Sequence, residues 1–234
     1  PEVLPLLAAI PLLLPGTPFL YYGEEIGMAD NTLISQEEFK DQLAIWMYQT
    51  EINLFDTPPA KAFEAAVLYG RDKCRTPMQW NRQPNAGFCT PGVRPWLPIN
   101  PDYIQDINVE TQRANGESLW NVYKQLIHLR KRKKALALGT YEELQVNEPS
   151  CLTFVRRKDQ SSCLIALNMS DQHLSLNLES TGNYWQCCYS SKQRDNRSIA
   201  SRTLELHPYE VFIADQIKIK NSIECEVPYA NRSK

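Results

Sequence analysis

The stretch TPFLYYGEEIGM, residues 17–28, carries the strongest fold signal in the chain. Its first part, TPFLYY, is a short continuous apolar and aromatic run that stops at Gly23. A run of this kind, bounded by turn signals, predicts a strand buried on both faces, as in a parallel sheet. Just ahead lies the apolar run from Val3 to Leu14, which reads as a helix end packed in a core. Pro15-Gly16 stops it, because proline cannot continue a helix and glycine supplies a left-handed turn. Helix, Pro-Gly turn and buried strand make the αβ half of a βαβ unit. Glu24 and Glu25 then fall past the carboxyl end of the strand, where parallel α/β folds hold their active sites.

Outward from this stretch, residues 29–113 form a long polar excursion, and one of this length is usually functional. Ser35 and Glu38 make a capping-box pattern ahead of Phe39, Leu43, Trp46 and Met47, which predicts a short amphipathic helix. A second helix is expected near Ala60–Leu68. From Gly70 to about Pro101 the chain is rich in Pro, Asn and Gly and predicts an ordered loop. The clearest helix spans residues 118–134. Leu119, Val122, Tyr123, Leu126, Ile127 and Arg130 recur at helical spacing, with Ser118 as N-cap and the Arg130 stem along the edge. The basic run Arg130–Lys134 suits the negative end of the helix dipole. It lacks the aromatic interleaving of a nucleic-acid surface and reads as a solvated helix end.

At Gly139 the period changes. Short segments follow: Tyr141–Val146, Cys151–Arg157, Cys163–Asn168, His173–Leu178, Tyr184–Tyr189, Thr203–Leu206 and Glu210–Ala214. Leu174, Leu176 and Leu178 give an every-other-residue stripe, and polar turn clusters separate the segments. This pattern predicts an antiparallel sandwich or meander. The expected organisation is therefore residues 1–138, residues 139–217, and a loosely held tail, 218–234.

Composition narrows the function. The formal net charge is -2, so no basic surplus points to nucleic acid or an anionic membrane. The apolar run near the start is too short and too broken by proline to span a bilayer, and it lacks the basic flank of a signal peptide. The seven cysteines show no CxxC pair and no zinc spacing with the three histidines. Buried free thiols, a reducing and hence cytoplasmic compartment, no metal and no cofactor are expected. Sequons at Asn168, Asn196 and Asn231 are short enough to arise by chance.

Two clusters carry candidate chemistry. Hydrolysis of a glycosidic bond needs two carboxylates flanking it, about 5–5.5 Å apart for retention. Glu24 and Glu25 are adjacent and point to opposite sides of an extended chain, so at most one faces a site. They are expected to bond to loop backbone or to an arginine. The second cluster, GRDKCRTPMQW (70–80), sets Arg71 and Arg75 four apart, beside Asp72, Gln79 and Trp80. A guanidinium fork suits paired oxygens, including sugar hydroxyls, and an exposed Trp can stack on a pyranose face. An Arg–Asp pair tying down a long loop is an equally good reading. Asn81, Asn85 and the NAGF stretch are turn chemistry. Trp96 is expected as a hydrophobic plug beneath the loop.

Taken together, these motifs resemble a known family. TPFLYYGEEIGM resembles the eighth barrel strand and loop of α-amylase-superfamily α-glucosidases. CRTPMQWN (74–81) followed by NAGF (85–88) resembles a signature of oligo-1,6-glucosidases, maltases and trehalose synthases. PWLPINPDY (95–103), INVETQ (107–112) and LHPYEVFIA (206–214) resemble its continuation and the closing strand of its C-terminal domain. The resemblance implies the C-terminal end of a TIM (β/α)8 barrel followed by an antiparallel β-sandwich. It implies retaining hydrolysis of an α-glucosidic bond in a longer protein, on an oligosaccharide substrate. The nucleophile and acid would lie on strands preceding Pro1, so this chain is expected to contain none of the catalytic carboxylates, to be inactive alone, and to partner the upstream part of its own barrel. Arg75 matches the arginine that reaches the terminal glucose, and Arg71 a second arginine near substrate. Asn81 stands where many relatives have Asp and is expected to be structural.

Three further readings stay open: a trehalose synthase-like transferase or isomerase, a non-catalytic ectodomain of a transporter subunit, and a carbohydrate-binding role for residues 139–217 through Trp185 and Tyr189. The sandwich-core placement of that aromatic pair competes with the last.

Overall fold

The computed structural model describes residues 2–31, 35–181, 183–192, 194–195, 199–200 and 202–217. It divides into two compact units, the first ending at Arg132 and the second beginning at Lys133. The tail 218–234 and the sequons at Asn196 and Asn231 lie outside the described residues.

In the first unit, α1 (Leu4–Leu13) buries Leu6, Ala9, Leu12 and Leu13 and packs against α5 (Leu119–Arg132). Gly16, at φ 105°, takes the left-handed turn that the Pro-Gly stop requires. Between these helices come α2 (Gln42–Asn53), α3 (Pro59–Tyr69) and the short α4 (Val109–Ala114). α2 and α3 pack as a helical hairpin around Phe39, Ala44 and Ala66, with the Phe39 and Phe63 rings stacked at 5.7 Å. The Ser35–Glu38 capping box is present, but it closes a single 3-10 turn, Gln36–Glu38; Asp41 is the residue that caps α2. In α5, Tyr123, Leu126 and Arg130 are buried, and Ser118 Oγ accepts the Asn121 N–H at 3.3 Å.

Arg130 departs from the expectation of an edge residue. It is buried and donates to the carbonyls of Leu12 (2.6 Å), Leu14 (3.1 Å) and Gly16 (2.5 Å). Those oxygens lie at or just past the end of α1, where a helix runs out of its own donors.

The TPFLYY strand is a correction. Residues 17–22 are not in a strand, and Phe19 is 88% exposed, with Leu20, Tyr21 and Tyr22 also exposed. A strand is made by neighbours that accept and donate along the ladder, and here none of the described strands lies in the first unit.

The second unit opens with α6 (Lys134–Leu138), followed by β1 (Thr140–Glu143), β2 (Cys151–Lys158), β3 (Ser161–Asn168), β4 (Leu174–Asn177), β5 (Tyr184–Ser190), β6 (Ile199–Ala200), β7 (Thr203–Leu206) and β8 (Val211–Ile217). One six-stranded sheet runs β1-β2-β3-β8-β5-β6, and β4 pairs with β7 in a second; every pairing is antiparallel. The sheets share one core in which Val155, Leu164, Trp185 and Phe212 meet Leu174, Leu176, Leu204 and Leu206. The Trp185 indole is fully buried and donates to Thr181 Oγ1 at 3.2 Å, so it belongs to this core and not to a sugar platform. Tyr189 is buried as well. α6 covers the opposite face against β2 and β3, and Lys133 pairs there with Asp215. Asn168 is fully buried, its amide donating to the Gln172 and His207 carbonyls, which leaves that sequon no accessible nitrogen.

Candidate functional site

The loop of residues 70–88 is tied down by carboxylates from elsewhere in the first unit. Asp41 Oδ2 accepts the Arg71 backbone N–H at 2.8 Å and its Nε at 3.0 Å, while Oδ1 accepts Nη2 at 2.9 Å. These bonds, with the Leu43 N–H, outweigh burial and hold the Asp41 carboxyl well below the usual range. Asp72, itself buried, returns the grip by accepting the N–H groups of Lys40 (2.7 Å) and Asp41 (2.9 Å). Arg71 is thus committed to a structural pair, as one of the two sequence readings allowed.

Arg75 is placed differently. Its side chain is exposed, whereas its backbone is clamped. Its N–H bonds to the Asp72 carbonyl at 3.0 Å, and its own carbonyl accepts Trp96 Nε1 at 2.9 Å. The neighbouring Thr76 carbonyl accepts the Tyr22 hydroxyl at 3.0 Å. Partial burial pushes that hydroxyl up to about 12, so Tyr22 stays a donor at ordinary pH. The Arg75 backbone is thus held on both sides while its side chain stays exposed.

Trp96 is a correction: it is half exposed, not a buried plug, and meets Phe88 edge-on at 5.0 Å while holding the Arg75 carbonyl. The NAGF stretch turns as expected. Asn85, Ala86 and Gly87 all have positive φ, and Trp80 and Asn81 donate their N–H groups to the Ala86 carbonyl. Asn81 Oδ1 accepts the Gln83 N–H at 2.9 Å, a local turn bond. Gln79 is fully buried and donates to Asp102 Oδ1 at 2.8 Å and the Ile107 carbonyl at 2.5 Å. Burial raises the Asp102 carboxyl above its ordinary value.

Glu24 and Glu25 are both spent locally. Glu24 accepts from the Tyr21 N–H at 3.0 Å and from the Tyr123 hydroxyl at 2.9 Å; Glu25 accepts the Gly23 N–H at 2.7 Å. They brace the turn rather than flank an open bond. The partners that sequence reasoning missed are Asp41, Tyr22 and Trp96. Only Asp41, one residue ahead of a helical pattern, left a local signal, that of a cap.

Among the described residues no group of three or more His, Cys, Asp and Glu side chains is placed to hold a metal ion, and no helix is long and apolar enough to cross a membrane.

A chain with this loop and these elements belongs to the α-amylase family: the model of the alpha amylase catalytic domain matches residues 2–139. Within that family it is similar to oligo-1,6-glucosidases. It is 31% identical over 208 residues to the Bacillus cereus enzyme, covering 89% of this chain and 37% of the relative. To that of Parageobacillus thermoglucosidasius it is 35% identical over 167 residues, covering 71% and 29%. The chain therefore spans about a third of the length of these relatives. Among solved structures, isomaltulose synthase from Klebsiella sp. LX3 superposes with a TM-score of 0.78 at 27% identity, covering 92% of this chain and 38% of that one. Trehalulose synthase MutB from Pseudomonas mesoacidophila MX-45 gives 0.79 at 25% identity, with the same coverage.

Proposed function

We propose that this chain forms the closing part of the (β/α)8 barrel of an exo-acting, retaining α-glucosidase, together with its antiparallel β-sandwich domain. The substrates are maltose- or isomaltose-type oligosaccharides, and Arg75 is the guanidinium that reaches the terminal glucose. The observation that carries this reading is the exposed Arg75 side chain on a backbone pinned by Asp72 and Trp96. Guanidinium N–H groups donate to adjacent hydroxyls of a sugar ring at fixed geometry, which selects a chain end over a chain interior. Arg71 supports the pocket wall through Asp41 and stands second as a substrate contact. The buried thiols Cys151 and Cys163 support a cytoplasmic setting.

The test is steady-state hydrolysis of p-nitrophenyl α-glucoside and isomaltose by the full-length protein and its Arg75→Ala variant. A fall of at least tenfold in kcat/KM, with an unchanged unfolding midpoint, is expected. Unchanged kinetics sinks the assignment.

A second reading, glucosyl transfer or isomerisation, draws support from the likeness to isomaltulose and trehalulose synthases. The same glycosyl intermediate serves both outcomes, and water access divides them. Product analysis on sucrose and maltose decides: free glucose marks hydrolysis, and a rearranged disaccharide marks isomerisation.

A further inference from the structure

Two of the three histidines stand together in the second unit. His173 immediately precedes β4 and His207 immediately follows β7, where Leu174 pairs with Leu206. Those leucines face the shared core. Neighbouring residues of a strand point to opposite faces, so the histidines project outward, and both are exposed. Their ring centres lie 5.0 Å apart with the planes at 67°.

The backbone beneath them is fixed by buried groups. The Asn168 amide donates both to the Gln172 carbonyl at 2.7 Å and to the His207 carbonyl at 2.8 Å. It thereby spans the residue next to one histidine and the other histidine itself. Glu210, fully buried, accepts the His207 N–H at 2.8 Å. The backbone positions from which the two imidazoles project are held by these bonds before any ligand arrives, which lowers the entropic cost of chelation.

We propose that His173 and His207 form a two-nitrogen chelate for one divalent transition-metal ion of the nickel(II) or copper(II) class. Such an ion sits about 2.0–2.1 Å from an imidazole nitrogen, hence about 3.2 Å from the ring centre, and two ligands at about 90–100° place the centres about 4.5–5 Å apart. The observed 5.0 Å meets that requirement. Two adjacent nitrogens with water in the remaining positions suit the tetragonal preference of copper(II) and nickel(II). A closed structural zinc site takes four protein ligands, and the described residues offer no group of three. The inference stands apart from the glycosidase reading, because no residue of the loop of residues 70–88 enters it.

The test uses the whole chain carrying Cys74→Ser, which removes the one exposed thiol among the described residues as a competing ligand. Nickel(II) is titrated calorimetrically and followed by line broadening of the imidazole signals in nitrogen-15 NMR. One ion per chain is expected, with selective broadening of His173 and His207. Each single change, His173→Ala or His207→Ala, should weaken binding at least tenfold, the double change little more than either, and His128→Ala not at all. Glutamine variants with native circular dichroism serve if an alanine variant fails to fold. Undiminished binding in either single variant, or no stoichiometric binding in the parent, overturns the proposal.

Discussion

Asp41 and Arg71 form a bidentate pair, with the Arg71 backbone N–H as a third donor to the same carboxylate. That carboxylate also accepts the Leu43 N–H as the N-cap of α2. One buried side chain thus starts a helix and fastens the loop that presents Arg75.

Asp41→Ala removes both duties. The cap alone is worth about 1 kcal/mol, so urea unfolding should show a loss of at least that size. Arg71→Ala should loosen residues 70–76, seen as faster amide exchange, while Arg75→Ala should stay within about 0.5 kcal/mol of the parent, as for an uninvolved surface residue. An Arg75→Ala protein that unfolds early would make that arginine structural.

Arg130→Ala leaves three carbonyls without this donor, that of Leu12 buried and those of Leu14 and Gly16 part-buried. A loss of about 2–4 kcal/mol is expected, since each unsatisfied buried group costs about 1–3 kcal/mol and water recovers part. Arg130→Lys should restore little, because one ammonium on a flexible stem does not reproduce the planar fork. Chemical denaturation measures both.

Glu210 is expected to contribute to the acid limb of stability in the second unit. Burial pushes its carboxyl up, but Arg194 (2.5 and 2.8 Å), Ser190 (2.6 Å) and the His207 N–H outweigh it and hold the group below its ordinary value. A carboxyl depressed in the folded state contributes stability above the unfolded value, 4.5, and loses it as pH falls from there through the lower folded value. Glu210→Gln should be less stable at neutral pH and show a flatter acid limb in this window. An acid limb as steep as the parent's would assign the effect to other carboxylates.

Gly139 ends α6 where two backbones meet. A Cβ there would strike the Ala135 carbonyl oxygen and lie 2.8 Å from that of Arg157. Neither neighbour is a flexible side-chain tip, so Gly139→Ala should cost about 1–3 kcal/mol as overpacking does. Thermal unfolding checks it.

The legible parts of the chain are those whose signal is local. The alternation of Leu174 and Leu176 is the buried-exposed pattern of β4. The Lys158–Ser161 turn cluster is the β2–β3 connection, with Asp159 at φ 55°. Pro15-Gly16 and the NAGF turn also speak through their own backbone preferences. The TPFLYY run misleads because an apolar segment looks the same whether or not neighbours cover it. The Asp41–Arg71 pair, 30 positions apart, and the Trp96–Arg75 bond, 21 apart, have no local signature at all. β6, two residues long, is too short to show a period. The loop chemistry around Arg75 was readable as a motif and an Arg–Asp tie as one way of holding it, while the partners Asp41 and Trp96 were not.

The Arg130–Leu12 bond spans 118 positions, which gives it a consequence during synthesis. At about 5–20 residues per second, the first helix emerges about 6–24 s before the guanidinium that completes its end. For that interval its leucine-rich face has no α5 to lie against. A nascent chain paused before Arg130 should therefore cross-link to ribosome-associated chaperones, and release them once the later helix clears the exit tunnel.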